Sequence, residues 1–494
     1  MSQDEVLRFL ADPATHDGTP PERLETHISV IFLAGEKAWK LKKAVKLSFL
    51  DFSTLALRHA ACLSELAVNR DAAPEIYLGV TPVTRAADGA LRLGGDGEVV
   101  EWLVAMRRFG QTDLLSELLR RNQVDRALIQ QVAAATWQAH QAAAHRPDKG
   151  GAAGLNWVID TNATALTAHA HILPTARTRS LTEASRAAVV RLTPLLESRR
   201  ANGKVRWCHG DLHCGNICLY QGHPTLFDAI EFSEDIACID VFYDLAFLLM
   251  DLDHRGARIL ASHALNHYLD LSGDYLGVTL LPLLLSLRAA IRAHVAAAMG
   301  QADDATVYLD EALAYLSPPR PRLLAVGGLS GSGKSRMGRE LAPFLAVPGA
   351  AVVRSDALRK QIVGAGLLER LPPQAYDAKT GRRTYAALYD ICETLLRAGH
   401  SVVADAVFAK PEQRAAIAAV AARAGVPFDG LWLWTEPELA EQRIQERKAN
   451  VSDATVDILR RQLTIDLGPM DWSRIHTGGS KDEAVTAGRA ALCL

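Results

Sequence analysis

Two short stretches of the 494-residue chain carry residue types at spacings that suit phosphate chemistry. The first is HGDLHCGN, residues 209–216, with Asp211 ahead of Asn216 and with Gly210 and Gly215 bracketing the loop. Phosphoryl transfer from ATP asks for a carboxylate that accepts or orients a hydroxyl, and for a nearby amide oxygen on Mg2+. An H-x-D-x-x-x-x-N loop supplies both from one turn, with Asp211 catalytic and Asn216 a metal ligand. Further on, the strand-like run LFDAIEF offers Asp228 as a second Mg2+ ligand. Upstream, AWKLK places Lys40 on a strand, where it would meet the α- and β-phosphates, and Glu65 on the next helix would pair with it.

The second stretch is GLSGSGKS, made of Gly328, Leu329, Ser330, Gly331, Ser332, Gly333, Lys334 and Ser335. It satisfies G-x-x-x-x-G-K-[ST] in full, after an apolar run and before a helical pattern. Glycines let backbone N–H groups turn inward around phosphates, and the helix N-terminus adds positive potential. Lys334 would reach the β- and γ-phosphates, and Ser335 would take Mg2+. VVRSDALRK then ends an apolar run with Asp356, where a carboxylate faces the ligand crevice of a parallel sheet. There it would receive the acceptor's proton, with Arg359 one turn along as a substrate contact. SVVADAVF gives Asp405 as a shortened Walker B carboxylate and further Mg2+ ligand. Arg443 and Arg447, at i and i+4 in ELAEQRIQERK, share a helix face and would close over the transferring phosphate. Arg382 and Arg383 add only charge as substrate contacts.

Cys208, Cys214, Cys218 and Cys238, with His209 and His213, raise a zinc alternative. Structural zinc sites favour paired C-x₂₋₄-C knuckles, and C-x₅-C-x₃-C matches them poorly. Buried or free thiols are the expectation, with His209 bracing the loop.

The quoted residues carry two family resemblances. Residues from about 25 to 310 resemble the aminoglycoside phosphotransferase-like branch of the protein-kinase-like fold. The resemblance implies an interlobe hinge at EWLVAMRR, 101–108, and a mainly structural role for Asp240 and Asp244 in IDVFYDLA. The glycine-rich loop of protein kinases is reduced here to Gly35 in LAGE. Residues from about 322 to 480 resemble the P-loop kinases grouped with gluconate kinase, polynucleotide kinase and zeta toxins, whose D-x-x-R element Asp356 and Arg359 match.

The elements that must position these residues fall on either side of SPPRPR, 317–322, where three prolines fix φ and remove donors. The expected domains are 1–316, a linker at 317–322, and 323–494. Before the linker, short strands surround a turn at Ala34-Gly35-Glu36. Helices follow across about 55–70, 124–144 and 181–200, the last opened by a capping box from Ser180 to Glu183. Strands first and helices later is an α+β pattern. After the linker strands alternate with helices, with Pro411 and Pro437 in first turns, so an α/β domain with a parallel sheet covered by helices is expected.

Composition bounds the partners. Apolar content of 49% and charged content of 22% belong to a globular chain, and a net charge of −2 advertises neither extended nucleic acid nor an acidic membrane. The most apolar segment, 275–298, is interrupted by Pro282, Arg288 and Arg292 and reads as a buried helix. Seven cysteines with no secretion pattern point to cytosol. The expectation is a cytosolic, two-site kinase using ATP and Mg2+ on hydroxyls of small polar metabolites, sugars or polyols. Two alternatives stand beside it: one active domain regulated by a silent nucleotide-binding partner, or a C-terminal polynucleotide or nucleotide-sugar kinase.

Overall fold

The computed structural model describes residues 3–47, 50–446 and 451–494. The chain packs as two compact units, Met1–Leu155 with Thr193–Leu248, and Asn156–Leu192 with Leu249–Leu494.

The first unit holds a six-stranded antiparallel sheet. In spatial order its strands are Glu22–Glu25, Ser29–Ala34, Lys37–Lys42, Glu98–Arg107, Tyr77–Arg85 and Leu91–Leu93. Gly35 makes the turn between the second and third, taking φ 57° in the left-handed region where a side chain is disfavoured. In the resulting register Lys40 lies opposite Ile31 on one side and Val104 on the other. Side chains alternate across a strand, so Lys40 and Lys42 share a face. The helix Leu55–Arg70 is capped by Thr54, whose hydroxyl accepts from Leu57 N–H at 3.2 Å, and it buries Glu65 and Asn69.

The HGDLHCGN loop follows the strand Val205–Trp207, which pairs antiparallel with Cys238–Asp240. A 3₁₀ turn at Cys214–Asn216 leads into the hairpin of Ile217–Tyr220 with His223–Leu226. Asp228 lies just beyond that hairpin, so one chain reversal brings the loop and the second carboxylate to the same end.

The second unit is built on a five-stranded parallel sheet in the order Ala351–Arg354, Val402–Asp405, Leu323–Gly328, Phe428–Trp434, Ser473–His476. The first three strands are buried along their whole length, as expected where helices cover both faces. Helices Arg258–Ser272, Leu281–Ala298 and Ala302–Tyr315, which precede the proline-rich segment, belong to this unit.

Three local expectations are corrected. The third expected helix starts at Thr175, not near 181, because Pro174 opens it by accepting from Arg177 and Thr178 N–H. Ser180 therefore lies inside a helix rather than at its cap. Pro282 begins the helix Leu281–Ala298 instead of interrupting the apolar run, since proline suits a first turn. The segment Tyr275–Ala298 is long and apolar enough to cross a membrane, and it is mostly buried inside the fold. Finally, Ser473–His476 is a fifth strand that its short mixed sequence does not announce.

Candidate active site

In the first unit Lys40 donates to Glu65 Oε1 at 2.7 Å and to Asp228 Oδ1 at 2.5 Å. The expected Lys40–Glu65 pair is thus present, and the metal-binding candidate Asp228 joins it. Lys42, absent from the sequence reading, donates to Glu65 Oε2 at 2.6 Å and pairs with Glu231. Burial would raise the Glu65 carboxyl, but Lys40 and Lys42 outweigh it and hold it well below the usual carboxylate range. Burial disfavours charge on Lys40 too, yet Asp228 and Glu65 bring it well above the ordinary lysine value. Glu231 goes the other way, raised by burial against the pull of Lys42. Lys42 and Glu231 were missed because their pairing spans 189 positions and leaves no local pattern.

Asp228 adopts φ 63°, an uncommon conformation for a residue with a side chain, of the kind that concentrates at functional sites. Its N–H donates to the Tyr77 hydroxyl at 3.0 Å, and Asn69 Oδ1 accepts from Ala229 N–H at 2.8 Å. Asn216 Nδ2 donates to the Asp211 backbone oxygen at 2.9 Å and to Asp211 Oδ2 at 3.0 Å. That commits the amide nitrogen of Asn216 and leaves its oxygen for a cation. Oxygen donors of this kind suit Mg2+.

His209 Nε2 donates to Phe227 O at 2.8 Å, while its Nδ1 accepts from Asp211 N–H at 3.3 Å. Each ring nitrogen is committed to backbone, so the ring braces the loop. Asp244, fully buried, accepts from His209 N–H at 3.1 Å and Gly210 N–H at 2.9 Å. Asp240 is gripped by Arg199 at 2.7 and 2.9 Å. Asp244 holds the loop in shape, and Asp240 ties the strand that pairs with Val205–Trp207 to Arg199.

His140, Cys208 and Asp244 place ligand atoms within 4.8 Å of one another. Asp244 is committed to amides, the Cys208 thiol donates to Ile239 O at 3.5 Å, and burial pushes that thiol well above its ordinary value. His140 Nε2 also lies 3.1 Å from Asp244 Oδ2, so these hydrogen bonds tie the three side chains into the support beneath the loop. None of the seven cysteines is in a disulfide.

The glycine expectation is corrected by topology. The loop between first and second strands, where a kinase covers its phosphates, is Thr26-His27-Ile28, whereas Gly35 turns the second strand into the third. Gly35 instead lines a cavity of about 400 Å³ with Arg107, Phe109, Gly110 and Tyr220, beside the expected hinge.

In the second unit the phosphate loop links the strand Leu323–Gly328 to the helix Lys334–Leu341. Gly331 and Gly333 take φ 85° and 89°, and a Cβ on Gly331 would meet Ala440 O at 2.7 Å. Lys334 curls back to donate to Leu329 O at 2.9 Å. Ser330 N–H donates to Gln462 Oε1 at 2.8 Å.

A cavity of about 280 Å³ opens here, and Ser330, Gly331, Gly333, Lys334, Ser335, Asp356, Arg359 and Asp405 all line it. Gly328, Leu329 and Ser332 complete the loop behind that wall. Asp356 stands in the first turn of the helix Ser355–Val363, not at its cap. Arg359 donates to Ala375 O at 3.1 Å and lies 4.9 Å over the Tyr376 ring, so it is no solvated surface residue. Burial raises the Asp405 carboxyl, opposed by Arg354 and Lys334 and by a hydrogen bond from Ser335.

Of the arginine pair, Arg443 is not brought to the cavity wall. Arg443 donates to Thr477 O at 2.6 Å and does not line the wall, while Arg447 lies outside the described residues. Arg382 and Arg383 are exposed and away from the wall. The wall also includes Tyr376, Tyr385, Asp453 and Gln462, which local pattern did not mark. Asp453 accepts from the Tyr376 hydroxyl at 2.8 Å and from Lys360 at 3.2 Å.

Residues 49–281 match the Phosphotransferase enzyme family, and residues 323–464 match the AAA domain family. Uncharacterized proteins of Mycobacterium bovis and Mycobacterium tuberculosis are 29% identical over 480 residues, 93% of this chain and 93% of theirs. Among solved structures, a choline/ethanolamine kinase family protein from Mesorhizobium loti is 16% identical, covering 64% of this chain and 94% of that one, with a TM-score of 0.34. A sugar kinase from Janibacter is 19% identical over 35% of this chain and 95% of its own, with a TM-score of 0.28.

Proposed function

The chain joins a kinase-like phosphotransferase domain to a P-loop domain of kinase type, and we propose that each transfers the γ-phosphate of ATP to a hydroxyl of a small polar metabolite, a sugar or polyol. We assign the first activity to residues 1–316 and the second to 323–494, with 317–322 between them. One observation carries the reading: in each site an aspartate stands beside groups fit to hold phosphate and Mg2+. Asp211 is tied to Asn216 at 3.0 Å, and Asp356 shares a wall with Lys334, Ser335 and Asp405.

Phosphoryl transfer needs little covalent participation from protein, so positioning and charge do most of the catalysis. Asp211 and Asp356 would orient the acceptor hydroxyl and take its proton as the bond to phosphorus forms. Mg2+, held by Asn216 and Asp228 in one site and by Ser335 and Asp405 in the other, would neutralise phosphate charge. Lys40 and Lys334 would hold the phosphates from the opposite side. In the second site the polar wall of Arg359, Asp453 and two tyrosines supports a hydroxyl-rich acceptor, and its small volume supports a single metabolite. A net charge of −2 supports the same class over extended nucleic acid, and buried free thiols support a reducing cytosol.

A second reading makes the first domain a silent nucleotide-binding regulator. The direct Lys40–Asp228 pair and the glycine-free Thr26–Ile28 loop favour it. Asp211→Asn and Lys334→Ala variants, each assayed for ATP consumption against a sugar and polyol panel, separate the two. Each variant is expected to lose a different set of acceptors; full turnover by either on every acceptor would end the two-site reading.

A further inference from the structure

The parallel register places Arg354 directly opposite Asp405 at the C-terminal edge of the sheet. A guanidinium there competes with Mg2+ for the same carboxylate. The contact is nonetheless loose, with Arg354 Nε 3.5 Å from Asp405 Oδ2 and without a hydrogen-bond partner among the described residues. What draws the arginine away is Asp270, on the helix Arg258–Ser272. Its Oδ2 accepts from Arg354 Nη1 at 2.8 Å and also pairs with Arg339 of the phosphate-loop helix. The Asp270 side chain is wholly buried, and its Oδ1 has no hydrogen-bond partner among the described residues.

A buried carboxylate holding two cations is costly to desolvate and needs a rigid mount. The helix supplies one. Asn266, one turn before Asp270, accepts from Val352 N–H at 2.7 Å and donates to Ala350 O at 3.1 Å, satisfying the open edge of the outer strand. Close approach is enforced at Gly349, where a Cβ would collide with the Ser262 side chain.

We propose that Asp270 is a positioning residue that holds Arg354 off Asp405 and so sets the Mg2+ affinity of the P-loop site. Helices before the proline-rich segment thereby become part of the second site's machinery. The proposal rests on the reading of that site as a Mg2+–nucleotide site.

The test is equilibrium binding of a non-hydrolysable ATP analogue to the full chain, titrated with Mg2+ and repeated without it. The relevant signal is the component that Lys334→Ala removes. If Lys334→Ala removes nothing, the P-loop reading fails and the failure is distinct from that of Asp270. Asp270→Asn is expected to raise the half-saturating Mg2+ concentration about tenfold, with metal-free affinity within about twofold, as for loss of one close charge coupling. Asp270→Asn/Arg354→Gln should return it to within about threefold of the native value, because the competing cation is gone. Arg339→Gln, which leaves Asp270 to Arg354 alone, should not raise it. An unchanged Mg2+ requirement in Asp270→Asn, an equal loss of metal-free binding, or a double variant no better than the single overturns the proposal. Should Asp270→Asn not fold, Arg354→Gln alone decides, since a raised Mg2+ requirement there contradicts competition.

Discussion

Glu65 carries the sharpest consequence of any single residue in the first unit, because two buried lysines depend on its charge. Glu65→Gln should cost about 3–5 kcal/mol in denaturant unfolding at neutral pH, the range for breaking a buried pair from one side. The sign with pH follows from its depressed titration. The native carboxylate is favoured above its ordinary pKa of 4.5, and that stability drains away as pH falls toward the native value below it. Native and variant stabilities should therefore converge as pH falls from 4.5 toward about 2; a gap that stays constant would assign the cost to packing. In the second unit, Gly331→Ala should abolish nucleotide binding to the phosphate loop while leaving unfolding cooperative. The added Cβ meets Ala440 O, and φ 85° is strained for alanine. Nucleotide affinity within about threefold of native would show that the loop relaxes at little cost. Residues of this kind were legible early: Asp211 with Asn216, and the glycines with Lys334, signal by spacing alone.

At the scale of elements, Asn266 is a helix residue doing the work of a neighbouring strand. Asn266→Ala leaves Val352 N–H and Ala350 C=O buried without that partner, and should cost about 1–3 kcal/mol. Denaturant unfolding measures it, and a cost below about 0.5 kcal/mol would mean that water reaches the strand edge. Periodicity placed the strands that flank Gly35 and the helix Leu55–Arg70 well, because alternation and 3.6-residue repeats are properties of neighbouring residues. It failed at Ser180, where an apparent capping box sits in a helix that Pro174 had already started. It also failed at Ser473–His476, a strand recognised only by the parallel partner it finds in Phe428–Trp434.

The molecule as a whole should be sensitive to mild acid through its second unit. Burial lowers His267, His294 and His400 to about 4 from an ordinary 6.5, so the folded unit keeps them neutral. Below pH 6.5 the unfolded chain takes up protons that the folded unit refuses, so stability is full above that value and falls as pH drops toward 4. Thermal midpoints measured from pH 7.5 to 5 should decline, and His400→Gln should flatten the decline by up to about one proton. A flat native profile would mean that these rings protonate in place.

Residue order alone determined the two candidate loops, the α+β character of the first part and the parallel sheet of the second, and the kinase-type chemistry. All of these rest on contiguous spacing or on short-range period, where backbone geometry ties neighbours together. Tertiary structure alone decided that Lys42 meets Glu231 and that Arg354 leans on Asp270. It also put Asp453 on the cavity wall and left Arg443 off it. The two pairs stand 189 and 84 positions apart, distances over which no backbone repeat correlates one residue with another. Only packing, with the demand that each buried charge find an opposite, brings them together.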